Sequence, residues 1–281
     1  MNHRYVATLA LTLTACAAAP PPPAPEPPPP PPASVAPAST AAEVASAAPT
    51  AAPQAAPQGS AAPSASPNPC PEGMAFIPGG EAVFGQYQKT KEKVSIKPFC
   101  IDANEVSTDL YAACVKAGKC DTVRLTVCDP STYAQSGRGN LPMICVDYPQ
   151  AEKYCAAQDK RLLATEEWEW AARGASATSP RPWGDAELGD QLCWSGNGKR
   201  DKPCEIGAFP KGDSPQGVHD LLGGVQEWTT AKGDAHSEIR QVRGGSWKDY
   251  GKELFDVSRH GIFKTTYRCG FVGIRCAKSV P

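Results

Sequence analysis

Charged residues are almost absent from the first quarter of the sequence. Only Arg4, Glu26 and Glu43 precede Cys70, whereas 18 of the 30 prolines lie between residues 20 and 69. A segment built from Pro, Ala, Ser and Gln buries too little apolar surface to offset its conformational entropy, which excludes a packed core. Consecutive prolines favour extended polyproline II. The sequence therefore predicts a disordered stalk over residues 16–69.

The rest of the chain has no excess of either charge. The whole sequence holds 28 basic and 29 acidic residues, so removing the three charges of the N-terminal segment leaves equal numbers in residues 70–281. A neutral domain is not suited to polyanions, and we expect no nucleic acid partner. This length is enough for one domain with its own core.

A hydrophobic run long enough to span a membrane is also missing. The apolar segment from Val6 to Leu13 is well below the ~20 residues that a membrane-spanning helix needs. With Arg4 before it and Cys16 two residues after Thr14, it resembles a bacterial lipoprotein signal. We expect residues 1–15 to be removed and Cys16 to carry the lipid that holds the protein on a membrane. The alternative is a plain secretory signal with an incidental cysteine.

The cysteines lack the close Cys-x2-Cys pairs of zinc sites, so Cys114, Cys120 and Cys128 are not expected to hold zinc. Twelve cysteines instead agree with export into an oxidising compartment. Eleven remain besides Cys16, so at least one stays outside intrachain disulfides or bridges two chains. Cys193 and Cys204 are close enough in sequence to close a local loop.

Three short helices are predicted in a domain otherwise rich in turns and short strands. Ser107 can cap a helix over residues 108–117, with Leu110, Tyr111, Cys114 and Val115 on one face. Asp147 can cap a second helix, with Pro149 tolerated in its first turn. A third helix follows Thr165 and ends near Gly174, with two glutamates at its positive end.

A series of motifs runs through almost the whole domain in a characteristic order. They are Ile77-Pro78-Gly79-Gly80, Phe99-Cys100-Ile101-Asp102, Glu105-Val106-Ser107, Arg161-Leu162, Glu167-Trp168-Glu169-Trp170-Ala171-Ala172-Arg173-Gly174, Pro182-Trp183-Gly184, Gly217-Val218-His219-Asp220, residues 223–228, Arg243-Gly244-Gly245-Ser246-Trp247 and Gly273-Ile274-Arg275-Cys276. Their order and spacing resemble the sulfatase-modifying-factor, or formylglycine-generating-enzyme, family. The resemblance covers residues 72–277.

The resemblance implies an α+β, C-type-lectin-like fold with little regular secondary structure, stapled by disulfides. It also implies a disulfide between Cys155 and Cys276, because the family joins the cysteine of its second helix to the one in its closing motif. Some members use the fold as a binding module, among them lipoproteins of gliding machinery and variable ligand-binding proteins.

The resemblance further implies where a copper site would lie. Members that oxidise a cysteine to formylglycine hold copper(I) through two thiolates in a Cys-x4-Cys pair after the Gly-Gly-Ser turn. Without gaps, Asp249 and Leu254 stand at those two positions. A carboxylate and an aliphatic side chain cannot replace two thiolates, so we expect no copper and no oxidase activity. A rearranged site that uses Cys269 is the alternative.

The residue types offer two other candidate sites. Some family members bind calcium near a Gly-Asn-Val-x-Glu-Trp motif; here Gly224 replaces the Asn and Cys193 replaces an Asn of a second loop, but Asp220 and Glu227 remain as possible ligands. Ser246, His219 and Asp220 supply the residue types of a hydrolase. Because no nucleophile-elbow pattern surrounds Ser246, structural roles are expected instead.

The sequence is therefore interpreted as an envelope lipoprotein with a non-catalytic binding or scaffold domain. A protein-modifying oxidase acting on an exported polypeptide is the rival. Ala17 stands where an inner-membrane lipoprotein of the enterobacterial type carries Asp. We therefore expect an outer-membrane location, facing the periplasm or the cell surface, with an envelope protein or a glycan as partner.

Overall fold

Ten short strands and three short α-helices, with a few 3-10 turns, make up the regular structure of the residues that the structure describes. The computed structural model describes residues 68–84, 93–123, 128, 132–133, 139–233 and 238–280, all within the unit Ala65–Pro281. The predicted signal, Cys16 and nearly all of the predicted stalk lie outside the described residues. Within the described part of the chain, no helix has the length and apolar character to cross a membrane.

The strands are β1 (Met74–Ile77), β2 (Gly80–Val83), β3 (Lys93–Ile96), β4 (Phe99–Asp102), β5 (Arg161–Leu162), β6 (Gln226–Lys232), β7 (Ile239–Arg243), β8 (His260–Lys264), β9 (Val272–Gly273) and β10 (Cys276–Ser279). One antiparallel sheet has the order β1-β4-β10-β5, so both ends of the domain pair with β4. A second sheet has the order β8-β7-β6-β9, in which β6 and β9 are parallel. Strands β2 and β3 form a separate antiparallel pair.

Two of the three helices begin at the predicted caps, and the third begins at Thr165 rather than after it. Helix α1 (Thr108–Lys116) starts after Ser107, whose Oγ accepts the N–H of Leu110. Helix α2 (Tyr148–Ala157) starts after Asp147 with a reciprocal capping box. In α3 (Thr165–Ala172), Glu167 Oε2 accepts the N–H of Ala164 at 2.9 Å.

The predicted face of α1 is only partly buried. It groups Leu110 with Tyr111 and Cys114, yet Leu110 is 56% exposed. The other two residues are buried. A nine-residue helix buries a narrow stripe, and Leu110 falls outside the part that faces the core.

Two apolar clusters form the core. One contains Trp228, Trp247 and most of the disulfide cysteines, and the other contains Trp168, Trp170 and Trp194. Five disulfides lie within the described residues: Cys70–Cys100, Cys114–Cys120, Cys128–Cys145, Cys155–Cys276 and Cys193–Cys204. The fold is therefore of the α+β class, with long loops, aromatic burial and covalent staples in place of long regular elements.

Candidate functional site

The turn after β7 holds the first of the two positions assigned to copper ligands. Asp249 Oδ2 accepts the backbone N–H of Ser246 at 2.8 Å and its hydroxyl at 2.9 Å. The backbone carbonyl of Asp249 accepts the N–H of Ser195 at 3.0 Å. Gly244 makes the turn possible, because its φ is +105° and an added Cβ would lie 2.8 Å from the carbonyl oxygen of Leu221. Asp249 is therefore a structural acceptor that fixes this turn.

Leu254, at the second position, belongs to a short 3-10 helix over Lys252–Phe255. Its partly buried side chain packs against the second core cluster. Phe255, next in the chain, meets Trp194 edge to face with ring centroids 5.4 Å apart. Leu254 therefore contributes packing at a place where the copper chemistry requires a thiolate.

The donor set of this turn does not fit copper(I). Copper(I) prefers soft thiolate or thioether ligands, whereas Asp249 offers a hard carboxylate and Leu254 offers no donor. Burial raises the pKa of the Asp249 carboxyl, while the two hydrogen bonds from Ser246 oppose that rise. Both Asp249 and Leu254 have structural contacts in the domain.

A buried ion pair joins the closing motif of the chain to strand β6. Arg275 Nε donates to Glu227 Oε1 at 2.7 Å, and the indole N–H of Trp168 donates to Glu227 Oε2 at 2.6 Å. The remaining Arg275 nitrogens donate to the carbonyl oxygens of Asp102, Ala103 and His219. Both carboxylate oxygens of Glu227 therefore have strong donors, and Glu227 does not fit the role of a calcium ligand.

The acidic side chains of Asp220 and Glu105, close to Glu227, also accept hydrogen bonds from the protein and do not fit the role of calcium ligands. Asp220 Oδ2 accepts the N–H of Gly207 at 2.6 Å, and Glu105 Oε1 accepts the N–H of Val225 at 2.9 Å. A Cβ at Gly224 would come within 2.5 Å of Glu105 Oε1, so an Asn cannot stand there without displacing Glu105. Glycine at the family's Asn position thus makes room for a buried carboxylate.

Burial raises the pKa of Glu105 well above its ordinary value, and the nearby charge of Asp220 raises it further, against the attraction of Arg275. Burial also raises the pKa of Asp220 and of Glu227. Across the described ranges, no three acidic, histidine or cysteine side chains are grouped so that they could hold a metal ion. The arrangement is a charge network that joins loops, and its donors and acceptors satisfy each other.

A second buried network lies beside helix α3. Arg243 Nη2 donates to Glu169 Oε2 at 3.2 Å, and Arg173 Nη2 donates to Glu169 Oε1 at 2.7 Å. Arg243 also donates through Nε to the hydroxyl of Thr165 at 2.6 Å. These contacts tie α3 to strand β7 just before the Gly-Gly-Ser turn.

The residues of the hydrolase alternative have other partners. The hydroxyl of Ser246 donates to Asp249, and Ser246 is fully buried. His219 Nδ1 lies 2.8 Å from Asp213 Oδ1, and Asp220 accepts from Gly207. A buried serine whose hydroxyl is held by a carboxylate is not presented to a substrate.

The structure brings together both cysteine pairs named from the sequence. Cys155 is bonded to Cys276 across 121 residues, and Cys193 is bonded to Cys204 across 11 residues. The carbonyl oxygen of Cys193 accepts the N–H of Gly224 at 3.0 Å, so this local loop meets the Gly223-Gly224 turn. A shallow cavity of about 650 Å³ lies elsewhere, beside β1, and none of the predicted site residues line it.

Sequence reasoning missed the buried roles of Glu105, Glu169 and Arg243. A signal was present, because each is a charged residue inside one of the family motifs next to apolar neighbours. Arg275, between Ile274 and Cys276, has the same signature. A charge placed among buried residues indicates a partner inside the core, although the sequence does not identify that partner.

These features define a disulfide-stapled member of the formylglycine-generating class of folds. Residues 59–280 match the model of the sulfatase-modifying factor enzyme 1-like domain, and the chain belongs to this family. Within it, the chain is 33% identical over 155 residues to an inactive C-alpha-formylglycine-generating enzyme 2 from Bos taurus, covering 49% of this chain and 50% of that protein. The formylglycine-generating enzyme of Streptomyces coelicolor is 27% identical, with 73% of this chain and 88% of that protein covered. The chain thus spans about half the length of the bovine relative.

Solved structures show the same fold. PvdO from Pseudomonas aeruginosa superposes with a TM-score of 0.61 and 22% identity, covering 75% of this chain and 95% of that one. Variable protein 1 of Treponema denticola superposes with a TM-score of 0.58 and 19% identity, covering 74% and 95%. These likenesses confirm the predicted fold.

Proposed function

We propose that this protein is an exported bacterial lipoprotein whose formylglycine-generating-enzyme-like domain is a non-catalytic binding or scaffold module. The observation that carries the proposal is the chemistry of the Gly-Gly-Ser turn. Asp249 is held by two hydrogen bonds from Ser246, and Leu254 packs against the core. Neither side chain can supply the thiolate on which the family's copper oxidation depends.

The similarity to the inactive bovine and mouse proteins supports a role without oxidation. Because about half of each chain is aligned, their properties come to this protein only as part of the proposal. The Cys16 lipid would hold the domain on the outer membrane through a proline-rich tether, facing the periplasm or the cell surface. An envelope protein or a glycan is the proposed ligand.

Catalysis can be tested directly against an active relative. The full chain, loaded with copper(I), is incubated with a peptide that carries a sulfatase-type cysteine, and the thiol-to-aldehyde conversion is followed by mass spectrometry. The Streptomyces coelicolor enzyme serves as the positive control. We expect no conversion and copper(I) binding no tighter than that of an unrelated disulfide-bonded protein. Metal-dependent turnover that is lost in Cys269→Ala would instead establish the protein-modifying oxidase with a displaced copper site.

The membrane attachment requires its own experiment. Cys16→Ser removes the thiol to which the lipid would be attached, while Ala18→Ser adds a hydroxyl nearby and leaves the thiol in place. We expect Cys16→Ser to move to the soluble envelope fraction and Ala18→Ser to stay with outer membranes. Retention of both variants on membranes would contradict lipidation at Cys16. Crosslinking in detergent-solubilised envelopes then identifies the partner.

A further inference from the structure

Strand β8 is the longest edge strand of the two four-stranded sheets. These sheets end in β1, β5, β8 and β9, which contain four, two, five and two residues. Among the described residues, no strand pairs with β8 on the side away from β7. An open edge presents unpaired backbone groups to any other extended chain, and proteins usually cover or blunt such edges.

The edge of β1, which is nearly as long, is partly covered by its own chain. Asn68 Nδ2 donates to the carbonyl oxygen of Met74 at 3.2 Å. The N–H of Met74 donates to the carbonyl oxygen of Pro71 at 3.1 Å. The residues just before β1 therefore satisfy backbone groups at the start of that strand.

The hydrogen bonds between β7 and β8 define which backbone groups of β8 face outward. The N–H of Thr265 donates to the carbonyl oxygen of Glu238 at 2.7 Å, and every second pair along the two strands repeats this bonded arrangement. Ile262 and Lys264 fall between the bonded pairs, so their N–H and C=O groups point away from β7. The carbonyl oxygen of Lys264 accepts the N–H of Tyr267 at 2.9 Å on this outer side. The N–H and C=O of Ile262 have no partner among the described residues.

The side chains along this edge are apolar and basic. Ile262 and Lys264 lie on one face of the strand, because side chains two residues apart point the same way. Ile262 is 50% exposed. Lys264 is exposed and belongs to no ion pair among the described residues. Glu238 lies opposite Thr265 and therefore on the other face, so the charge of Lys264 is not compensated there.

We propose that β8 binds an extended segment of a partner protein, which adds to the sheet as a further strand. This inference rests on the proposed binding function and names the class of ligand. The backbone of the segment accepts the N–H of Ile262 and donates to its C=O, as in other cases of strand addition. The segment carries an apolar residue opposite Ile262 and an acidic residue two positions away, opposite Lys264.

Charge favours such a segment over a second copy of this chain. Pairing of two β8 strands brings together two edges that each carry Lys264, with Arg259 just before the strand. Like charges that face each other across two strands destabilise their pairing. An acidic segment instead forms a cross-strand ion pair with Lys264.

Charge reversal at Lys264 tests the proposal in the full chain. The probes are two pools of nine-residue synthetic peptides, one with the alternating pattern apolar-x-acidic and one with lysine in place of the acid. We expect the unsubstituted protein to bind the acidic pool about fivefold more tightly than the lysine pool, and Lys264→Glu to reverse this preference. Lys202→Glu, at another exposed lysine, is the matched control and should keep the original preference. Equal binding of both pools by the unsubstituted protein, or an unchanged preference in Lys264→Glu, would overturn the proposal.

A proline at position 262 tests the backbone contact. Ile262→Pro removes the outward N–H without removing a bond to β7, and edge strands tolerate proline at such positions. We expect this variant to bind the acidic pool at least about fivefold more weakly. Ile262→Val keeps both the N–H and an apolar side chain, and it should bind nearly as well as the unsubstituted protein. Unchanged binding by folded Ile262→Pro would contradict strand addition; if the variant does not fold, the result with Lys264→Glu decides.

Other occupants of this edge produce different results. A dimer of the unsubstituted protein in sedimentation that is lost in Lys264→Glu or Ile262→Pro, with neither peptide pool bound, would replace the proposal by self-pairing. Binding of purified peptidoglycan fragments but of neither pool would also overturn it, while leaving the binding function in place. Binding of nothing by any variant refutes the strand addition. Copper-dependent turnover of the cysteine peptide is a separate result, which refutes the proposed function itself.

Discussion

Arg275 and Glu227 form an ion pair that solvent does not reach, with Nε 2.7 Å from Oε1 and side-chain exposures of 0% and 1%. The pair joins the closing motif of the chain to strand β6. Its remaining hydrogen bonds reach Trp168 in helix α3 and the carbonyl oxygens of the loops at residues 102–103 and 219. A domain with short strands thus uses one guanidinium to connect several segments.

Removing one member of this pair should be strongly destabilising. In Arg275→Met, the Glu227 carboxylate stays buried without its cation, and we expect a loss of roughly 3–5 kcal/mol in the free energy of unfolding. Lys278→Met is the control, because its pair with Asp159 is exposed and little change is expected. Urea unfolding measures both. A loss in Arg275→Met no larger than in the control would contradict the assigned role.

Stability should depend on pH through Glu105. Its pKa in the folded protein is raised well above the ordinary 4.5, so the folded state holds its proton more tightly than the unfolded state. The stabilisation of the folded state by protonated Glu105 is present below pH 4.5, and it is lost as the pH rises through the raised pKa of the folded state. Asp220 and Glu227 act in the same direction.

The variant Glu105→Gln keeps the shape of the neutral acid and cannot titrate. We expect its free energy of unfolding to fall less steeply with rising pH than that of the unsubstituted protein. Glu187→Gln, at an exposed position, should leave the slope unchanged. Denaturant unfolding across the pH range provides the comparison. Parallel pH profiles for the unsubstituted protein and Glu105→Gln would show that Glu105 is not the source of the pH dependence of stability.

The Cys155–Cys276 disulfide should contribute more than the short-range ones. In the chain-entropy model, closing a loop of 121 residues stabilises by about 5 kcal/mol, whereas a loop of 6 residues contributes about 2 kcal/mol. We therefore expect Cys155→Ala/Cys276→Ala to lower the free energy of unfolding more than Cys114→Ala/Cys120→Ala. Unfolding in urea without reductant checks the order, and the reverse order would contradict the entropic account.

Asp249 should act on stability through Ser246. Asp249→Ala leaves the buried N–H and hydroxyl of Ser246 without their acceptor, at a cost of about 1–3 kcal/mol. Asp249→Asn keeps one oxygen acceptor and should lose less. Asp201→Ala, at an exposed position, is the matched control and should change little. Thermal unfolding measures the midpoint temperature of each variant. A midpoint of Asp249→Ala no lower than that of Asp201→Ala would refute this structural role.

Local sequence patterns were enough to place the helices. Ser107 and Asp147 each accept an N–H three residues ahead, so the signal and the contact lie within one turn. The order of the family motifs was likewise enough to indicate the fold. Leu110 is exposed on its predicted face, because local periodicity defines the faces of a helix without showing how wide a stripe the core covers.

The sequence by itself determined the fold family, the helix starts and the absence of thiolates at Asp249 and Leu254, because each depends on nearby residues or on motif order. Only the tertiary structure decided which charges meet in the core. Arg275 reaches Glu227 across 48 residues, and Glu105 accepts the N–H of Val225 across 120. The chain topology sets such contacts: the desolvation cost of a buried charge requires a partner, but only the folded arrangement brings that partner within hydrogen-bonding distance.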